Sequence, residues 1–123
     1  MDILDPSTMK DLCFLVDSKK NLLEFPQEVR RKMGYALRFA QAGRMHEHAK
    51  PFKGVAPGVF EIVEDFRTDA FRTVYAVKLR DTVYVLHAFQ KKSKSGIKTP
   101  QKEIDLIKAR YGMALEFENE KAK

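Results

Sequence analysis

The sequence predicts an α+β fold, a small antiparallel β-sheet with packed helices in the order β-α-β-β-β-α. Three observations predict it. Val29, Met33, Leu37 and Ala40 recur at the spacing of a one-sided helix. Residues 59–89 divide into three apolar or alternating runs with turns of two or three residues between them. A second helical pattern opens at Thr99-Pro100 and carries Ile104, Ile107, Tyr111 and Leu115 along one stripe. With 123 residues the chain is expected to form a single domain, 1–123, with residues 1–8 and 116–123 frayed.

Each element has a local cause. Residues 9–17 (MKDLCFLVD) read as a first strand because residues 12–16 are continuously apolar, and Ser18-Lys19-Lys20-Asn21 breaks the run. Phe25-Pro26-Gln27-Glu28 begins a helix: proline has no N–H to leave unpaired in the first turn, and Glu28 complements the helix dipole. Arg30, Arg31, Arg38 and Arg44 fall mostly elsewhere around that helix, and Gly43 marks its end. Residues 44–58 (RMHEHAKPFKGVAPG) are a loop by their Pro and Gly content, with Lys50 and Lys53 adding positive charge.

Residues 59–66 (VFEIVEDF) set Phe60, Ile62 and Phe66 against Glu61 and Val63. Residues 69–79 (DAFRTVYAVKL) place Phe71, Thr73, Tyr75, Val77 and Leu79 on one face and Arg72, Val74, Ala76 and Lys78 on the other. Arg72 therefore sits in a strand among apolar neighbours. Such a charge must be paired or aimed at a ligand, and Glu61 or Glu64 across the hairpin are the candidate partners. In the third run His87 follows Val83 and Val85 at period two, on the face that also carries Phe89, the pattern of a packed, hydrogen-bonded histidine. Thr99, Pro100, Glu103 and Asp105 then start the last helix.

Composition narrows the function. No run approaches the roughly 18 apolar residues of a membrane span, and the acidic start MDILDPSTMKD lacks the order of a secretion signal. Cys13 stands alone in an apolar run, which suits a reducing cytoplasm and a structural thiol. His46-x-His48, with only Glu47 between them, makes a poor metal ligand set, and no metal or cofactor is expected. There is no GxGxxG, no GxxxxGK[ST], no HExxH and no CxxC.

Charge is unevenly placed. Residues 29–53 hold seven bases and one acid, and residues 82–102 hold five lysines and no acid, so the net +6 is concentrated in two blocks. The second block, TVYVLHAFQKKSKSGIKTPQK, joins an apolar strand to a Lys/Ser/Gly tail. Fixed positive charge projecting from the end of a sheet suits a polyanion, nucleic acid first and an acidic protein second.

These residues also carry a resemblance. GVFEIVEDF and VYAVKLRDTVYVLHAFQKKSKSGIKTPQKEIDLIKARY, within residues 25–111, closely resemble the phage-derived HigB-like branch of the RelE/ParE superfamily. LHAFQKKSKSGIKTPQKEID (residues 86–105) is the most specific piece. The resemblance implies the compact β-α-β3-α fold and the toxin of a toxin–antitoxin pair. It implies a metal-independent endoribonuclease that cuts mRNA on the ribosome, with a small helix-turn-helix antitoxin as partner. The family's strand arginine matches Arg72 and its basic pair matches Lys91 and Lys92, either of which is a proton-transfer candidate. Arg67, Lys94 and Lys98 would support phosphate binding, Lys53 would extend the basic surface, and His87 is a weaker proton-transfer candidate. One departure stands out: residues 95–101 lack the tyrosine or histidine that several ribosome-dependent relatives place there. The alternative is a non-enzymatic relative on the same scaffold, a ParE-like gyrase inhibitor or an RNA binder.

Overall fold

A computed structural model describes residues 6–91 and 99–122, apart from the side chains of Pro6 and Lys78. After a 3-10 turn (Pro6–Thr8) come β1 (Asp11–Phe14), α1 (Ser18–Leu23) and α2 (Gln27–Gln41). Then follow β2 (Ala49–Pro51), β3 (Val59–Phe66), β4 (Asp69–Leu79), β5 (Thr82–Lys91) and α3 (Gln101–Ala122). The five strands form one sheet in the order β1-β5-β4-β3-β2. The α+β arrangement read from the sequence is the one observed.

Three details differ. The sheet is antiparallel from β2 to β5, but β1 pairs with β5 in parallel, Leu12 opposite Val83 and Phe14 opposite Val85. Three reversals from β2 leave β5 running the same way as β1, which the helices have set at the opposite edge. The Ser18–Asn21 break is itself the start of a short helix. It buries Ser18 and Leu22, and the Ser18 hydroxyl donates to the Val85 carbonyl at 3.2 Å. The loop before β3 holds the edge strand β2.

Helix α2 ends as its sequence demands, with Gly43 at φ 78 just past the Ala42 C-cap. It buries Val29, Met33, Leu37 and Ala40 against Ile62, Phe71, Tyr75, Val83, Val85 and Ala88. Helix α3 covers the other face, where Ile107 and Ala114 meet Val74, Ala76, Tyr84, Leu86 and Phe89.

Two irregularities modify the strict alternation. Val74 pairs with His87 and Tyr75 with Val85, so Leu86 is one residue too many in β5. Val83 and Val85 therefore face α2, whereas His87 faces α3 with Phe89, so the period-two link from the valines to His87 does not hold. A second shift, between Ala76 and Leu79, carries Leu79 to the α3 face.

Helix α3 departs from its expected stripe as well. Leu115 is exposed, and the buried line runs through Ile107, Arg110, Ala114 and Glu118. The charged tail continues as helix to Ala122 rather than fraying, because it is tied to the sheet. The Tyr84 hydroxyl donates to Glu118 at 2.5 Å, and Lys121 donates to Glu118 and to Thr82. The Tyr84 hydrogen bond is the chief cause holding the Glu118 carboxyl below its ordinary range, with Lys121 adding to it and burial opposing. This contribution is present above the unfolded-state value and lost as pH falls through the folded one. Tyr84→Phe is thus expected to cost about 1.5–3 kcal/mol at neutral pH, the range of hydrogen bonds to charged groups. Urea unfolding should show that cost shrinking at a pH low enough to protonate Glu118.

Candidate functional site

Cross-strand partners share a face, so the register assembles the site. Lys50 lies opposite Glu61, Val63 opposite Arg72, Arg72 opposite Phe89 and Ala70 opposite Lys91. Lys50, Glu61, Arg72, Phe89 and Lys91 therefore stand on the α3 side of the sheet, contributed by four neighbouring strands. Helix α3 descends along β5, Glu103 reaching His87 near its start and Lys121 reaching Thr82 near its end.

Arg72 is ion-paired. Its Nη1 donates to Glu61 Oε1 at 2.5 Å, and both side chains are largely buried. The pair accounts for one nitrogen of the guanidinium. Arg72 Nε and Lys91 Nζ are buried and have no hydrogen-bond partner among the described residues. Only two other buried side-chain atoms of the described residues share that condition, Arg30 Nε and Glu118 Oε1, so half of these orphans meet at one patch. Each such group costs about 1–3 kcal/mol of lost solvation, a cost that a bound anion offsets.

The patch also tunes Lys91. Burial lowers the affinity of its amine for a proton most, the Arg72 charge lowers it further, Glu61 pulls it back up, and Lys50 adds a smaller downward push. Lys91 is 7% exposed. A buried amine beside an arginine is held closer to neutral pH than an ordinary lysine, as a proton-transfer group requires.

His87 lies on the same stripe, four residues before Lys91. Its Nε2 donates to Glu103 Oε1 at 3.2 Å, and its Nδ1 stands 3.4 Å from Arg110 Nη1, which also donates to the Leu86 carbonyl. Arg110 in turn holds Asp17 at 2.7 Å. Burial lowers the His87 pKa most; Glu103 opposes this, and Arg110 adds to the lowering. The ring stacks on Phe89 at 4.9 Å. His87 is the packed, hydrogen-bonded histidine its sequence context indicated.

Of the residues singled out from the sequence, the fold brings together Arg72 and Lys91. Arg67 occupies the β3–β4 hairpin tip at the same end of the sheet, with φ 59 and its guanidinium 5.2 Å from the Phe66 ring centroid. Lys53 does not join them. It follows β2 at the Val59 end of β3, the end opposite the hairpin tip. Lys92, Lys94 and Lys98 lie outside the described residues.

Of the two carboxylates the sequence offered as partners of Arg72, Glu61 is the one that pairs with it; the member of the patch that sequence reasoning did not place there is Lys50. Lys50 was hidden because β2 reads as loop. The histidines of the same segment are engaged locally: His48 Nδ1 donates to Glu64 at 2.7 Å, and His46 Nδ1 accepts from the His48 backbone. Among the described residues no three His, Cys, Asp or Glu side chains are grouped to hold a metal.

The family profile described as phage derived protein Gp49-like (DUF891) matches residues 20–112. No curated protein shows significant sequence similarity to the chain. A double arginine-to-alanine mutant of the E. coli toxin RelE, solved in the free state, is 16% identical with a TM-score of 0.56, over 84% of this chain and 97% of that one. A chain of the toxin–antitoxin complex RelBE2 from Mycobacterium tuberculosis is 18% identical with a TM-score of 0.44, over 70% and 95%. The match to residues 20–112 spans most of the sequence and the RelE structure superposes on most of the chain, in agreement with the resemblance read from residues 25–111: the chain belongs to the phage-derived Gp49-like family and has the RelE fold.

Proposed function

We propose that the protein is the toxin of a toxin–antitoxin pair and acts as an endoribonuclease on mRNA held in the ribosome. The observation that carries this reading is the pair of buried donors, Arg72 Nε and Lys91 Nζ, on one face of the sheet with no hydrogen-bond partner among the described residues. Two cationic donors and one carboxylate match the needs of RNA transesterification. In that reaction the 2′-oxygen bonds to the adjacent phosphorus, the P–O5′ bond breaks, and the products are a cyclic phosphate and a free 5′-hydroxyl.

Arg72 suits the charge that develops on the phosphoryl oxygens, because a guanidinium fork can bond two of them at once. Its orientation is fixed by Glu61 before substrate arrives. In this reading Lys91, with its depressed proton affinity, delivers the proton to the departing 5′-oxygen. Glu61 is the carboxylate bound to that cationic pair, and we assign it the proton of the 2′-hydroxyl. That assignment supplies what residues 95–101 lack. Arg67 at the hairpin tip, with Lys94 and Lys98, would steer the RNA backbone, and Lys92 would add to that field. The antitoxin, by family resemblance a helix-turn-helix protein, would neutralise this basic end or keep the toxin from entering the ribosome.

Induced expression followed by mapping of mRNA 5′ ends tests the proposal. New 5′-hydroxyl ends on translated messages are the expected result. Growth arrest without new ends, accompanied by altered DNA supercoiling, would instead support the gyrase-inhibitor reading.

A further inference from the structure

Strand β1 ends at Phe14, opposite Val85, and among the described residues no strand pairs with β5 beyond that point on this side. A pocket of about 310 Å³ opens along that free edge, between the end of α1 and the first turn of α3. Asn21, Glu24, Phe25, His87, Phe89 and Glu103 line it. The volume falls at the lower end of the roughly 300–1,000 Å³ typical of small-molecule sites.

Its chemistry differs from that of the cationic patch. Among the described residues Glu103 has one oxygen held by His87 and no partner for the other, and Glu24 and the Asn21 amide have no hydrogen-bond partner. The pocket is thus walled by rings and rich in acceptors. It lies beside the anion site along β5: Phe89 lines the pocket and lies opposite Arg72, and Lys91 follows two residues along the same stripe. Two residues of strand span about 6.6 Å, comparable with the reach from a backbone phosphate to a neighbouring base.

We infer that this pocket receives the base adjoining the phosphate held by Arg72 and Lys91, and that it favours guanine. The inference rests on the nuclease reading and adds a base preference to it. Guanine alone presents two adjacent N–H donors, the ring N1 and the exocyclic amine, which one carboxylate accepts side by side. Adenine and cytosine offer an amino group beside an acceptor. Uracil offers one N–H flanked by carbonyls, which a carboxylate repels. A basic side chain of a protein partner would also satisfy two glutamates, but the place of the pocket beside the cationic patch favours a nucleotide.

Calorimetric titration of the whole chain with inorganic phosphate and the four nucleoside 3′-monophosphates tests the inference. We expect phosphate to bind and 3′-GMP to bind about tenfold or more tighter than 3′-UMP, a difference that two well-placed hydrogen bonds readily supply. Glu24→Gln and Glu103→Gln, which keep shape and remove charge, should shrink that preference to about twofold and leave phosphate affinity unchanged. Equal affinity for the four nucleotides, with phosphate still bound, would overturn the base pocket and leave the anion site standing. A preference for 3′-GMP that survives both substitutions would also overturn it. So would arginine amide binding more tightly than any nucleotide, which would mark the pocket as a protein contact. If phosphate itself does not bind, the nuclease reading fails together with the inference.

Discussion

Arg72→Lys is expected to lower mRNA cleavage by about a hundredfold or more while leaving the protein folded. Lysine keeps the positive charge and can still approach Glu61, so the buried carboxylate is not stranded. What it loses is the planar fork that bonds two phosphoryl oxygens and still has a nitrogen for Glu61. Removing one preorganised donor from a charge-stabilising site costs roughly 10²–10³ in rate. Arg72→Ala is the blunter variant. It leaves Glu61 buried without its cation, and breaking a buried pair from one side costs about 3–5 kcal/mol. That is a large share of the roughly 5–15 kcal/mol that stabilises a domain of this kind, so loss of toxicity in the alanine variant would mix misfolding with lost chemistry. Growth arrest, 5′-end mapping and the urea midpoint should be measured on both variants. Wild-type cleavage by a folded Arg72→Lys protein would remove the fork from the mechanism.

Lys91→Met is expected to move stability and activity in opposite directions. Methionine has similar length and no charge, so it fills the volume and removes a buried ammonium that has no hydrogen-bond partner among the described residues. The fold should gain about 1–3 kcal/mol, the usual penalty of an unsatisfied buried polar group. Cleavage should fall by about a hundredfold or more, because the proton donor and one phosphate contact disappear together. The gain should also depend on pH. Lys91 binds its proton less tightly folded than unfolded, so charging it destabilises the native state throughout the range below the folded pKa. As pH rises through that value toward the ordinary lysine value of 10.5, the unfolded chain holds more protons and the wild type gains stability relative to Lys91→Met. Equal stabilities at neutral pH, or a gap that widens on the alkaline side, would contradict the idea of a strained lysine.

The fold was legible where burial and period coincide. Val29, Met33, Leu37 and Ala40 occupy the buried side of α2, and Phe60, Ile62 and Phe66 lie on the α2 face of β3, as their spacing indicated. The cationic pair was legible too, though by resemblance rather than by pattern: Arg72 and Lys91 share a face only through a register that no run of residues declares. Alternation failed at Leu86 and between Ala76 and Leu79, because one inserted residue reverses every side chain after it while leaving composition unchanged. The tail of α3 looked frayed because its bonds are long-range. Glu118 finds Tyr84 from 34 positions away, and local charge alternation gives no hint of the contact. Lys50 was missed for the opposite reason, since a three-residue edge strand is too short to show a period.

The extra residue in β5 gives this segment one position of slack. Loss of the Leu86 codon alone would close the ladder, with Val85 still opposite Tyr75 and Phe89 still opposite Arg72. A second deletion between His87 and Lys91 has no such slack: it would turn Phe89 and Lys91 toward α2 and leave Arg72 facing an empty half of the sheet. An allele lacking Leu86 should therefore lose stability yet keep its cations on one face, whereas one shortened by a further residue should be inactive even when every charged side chain survives.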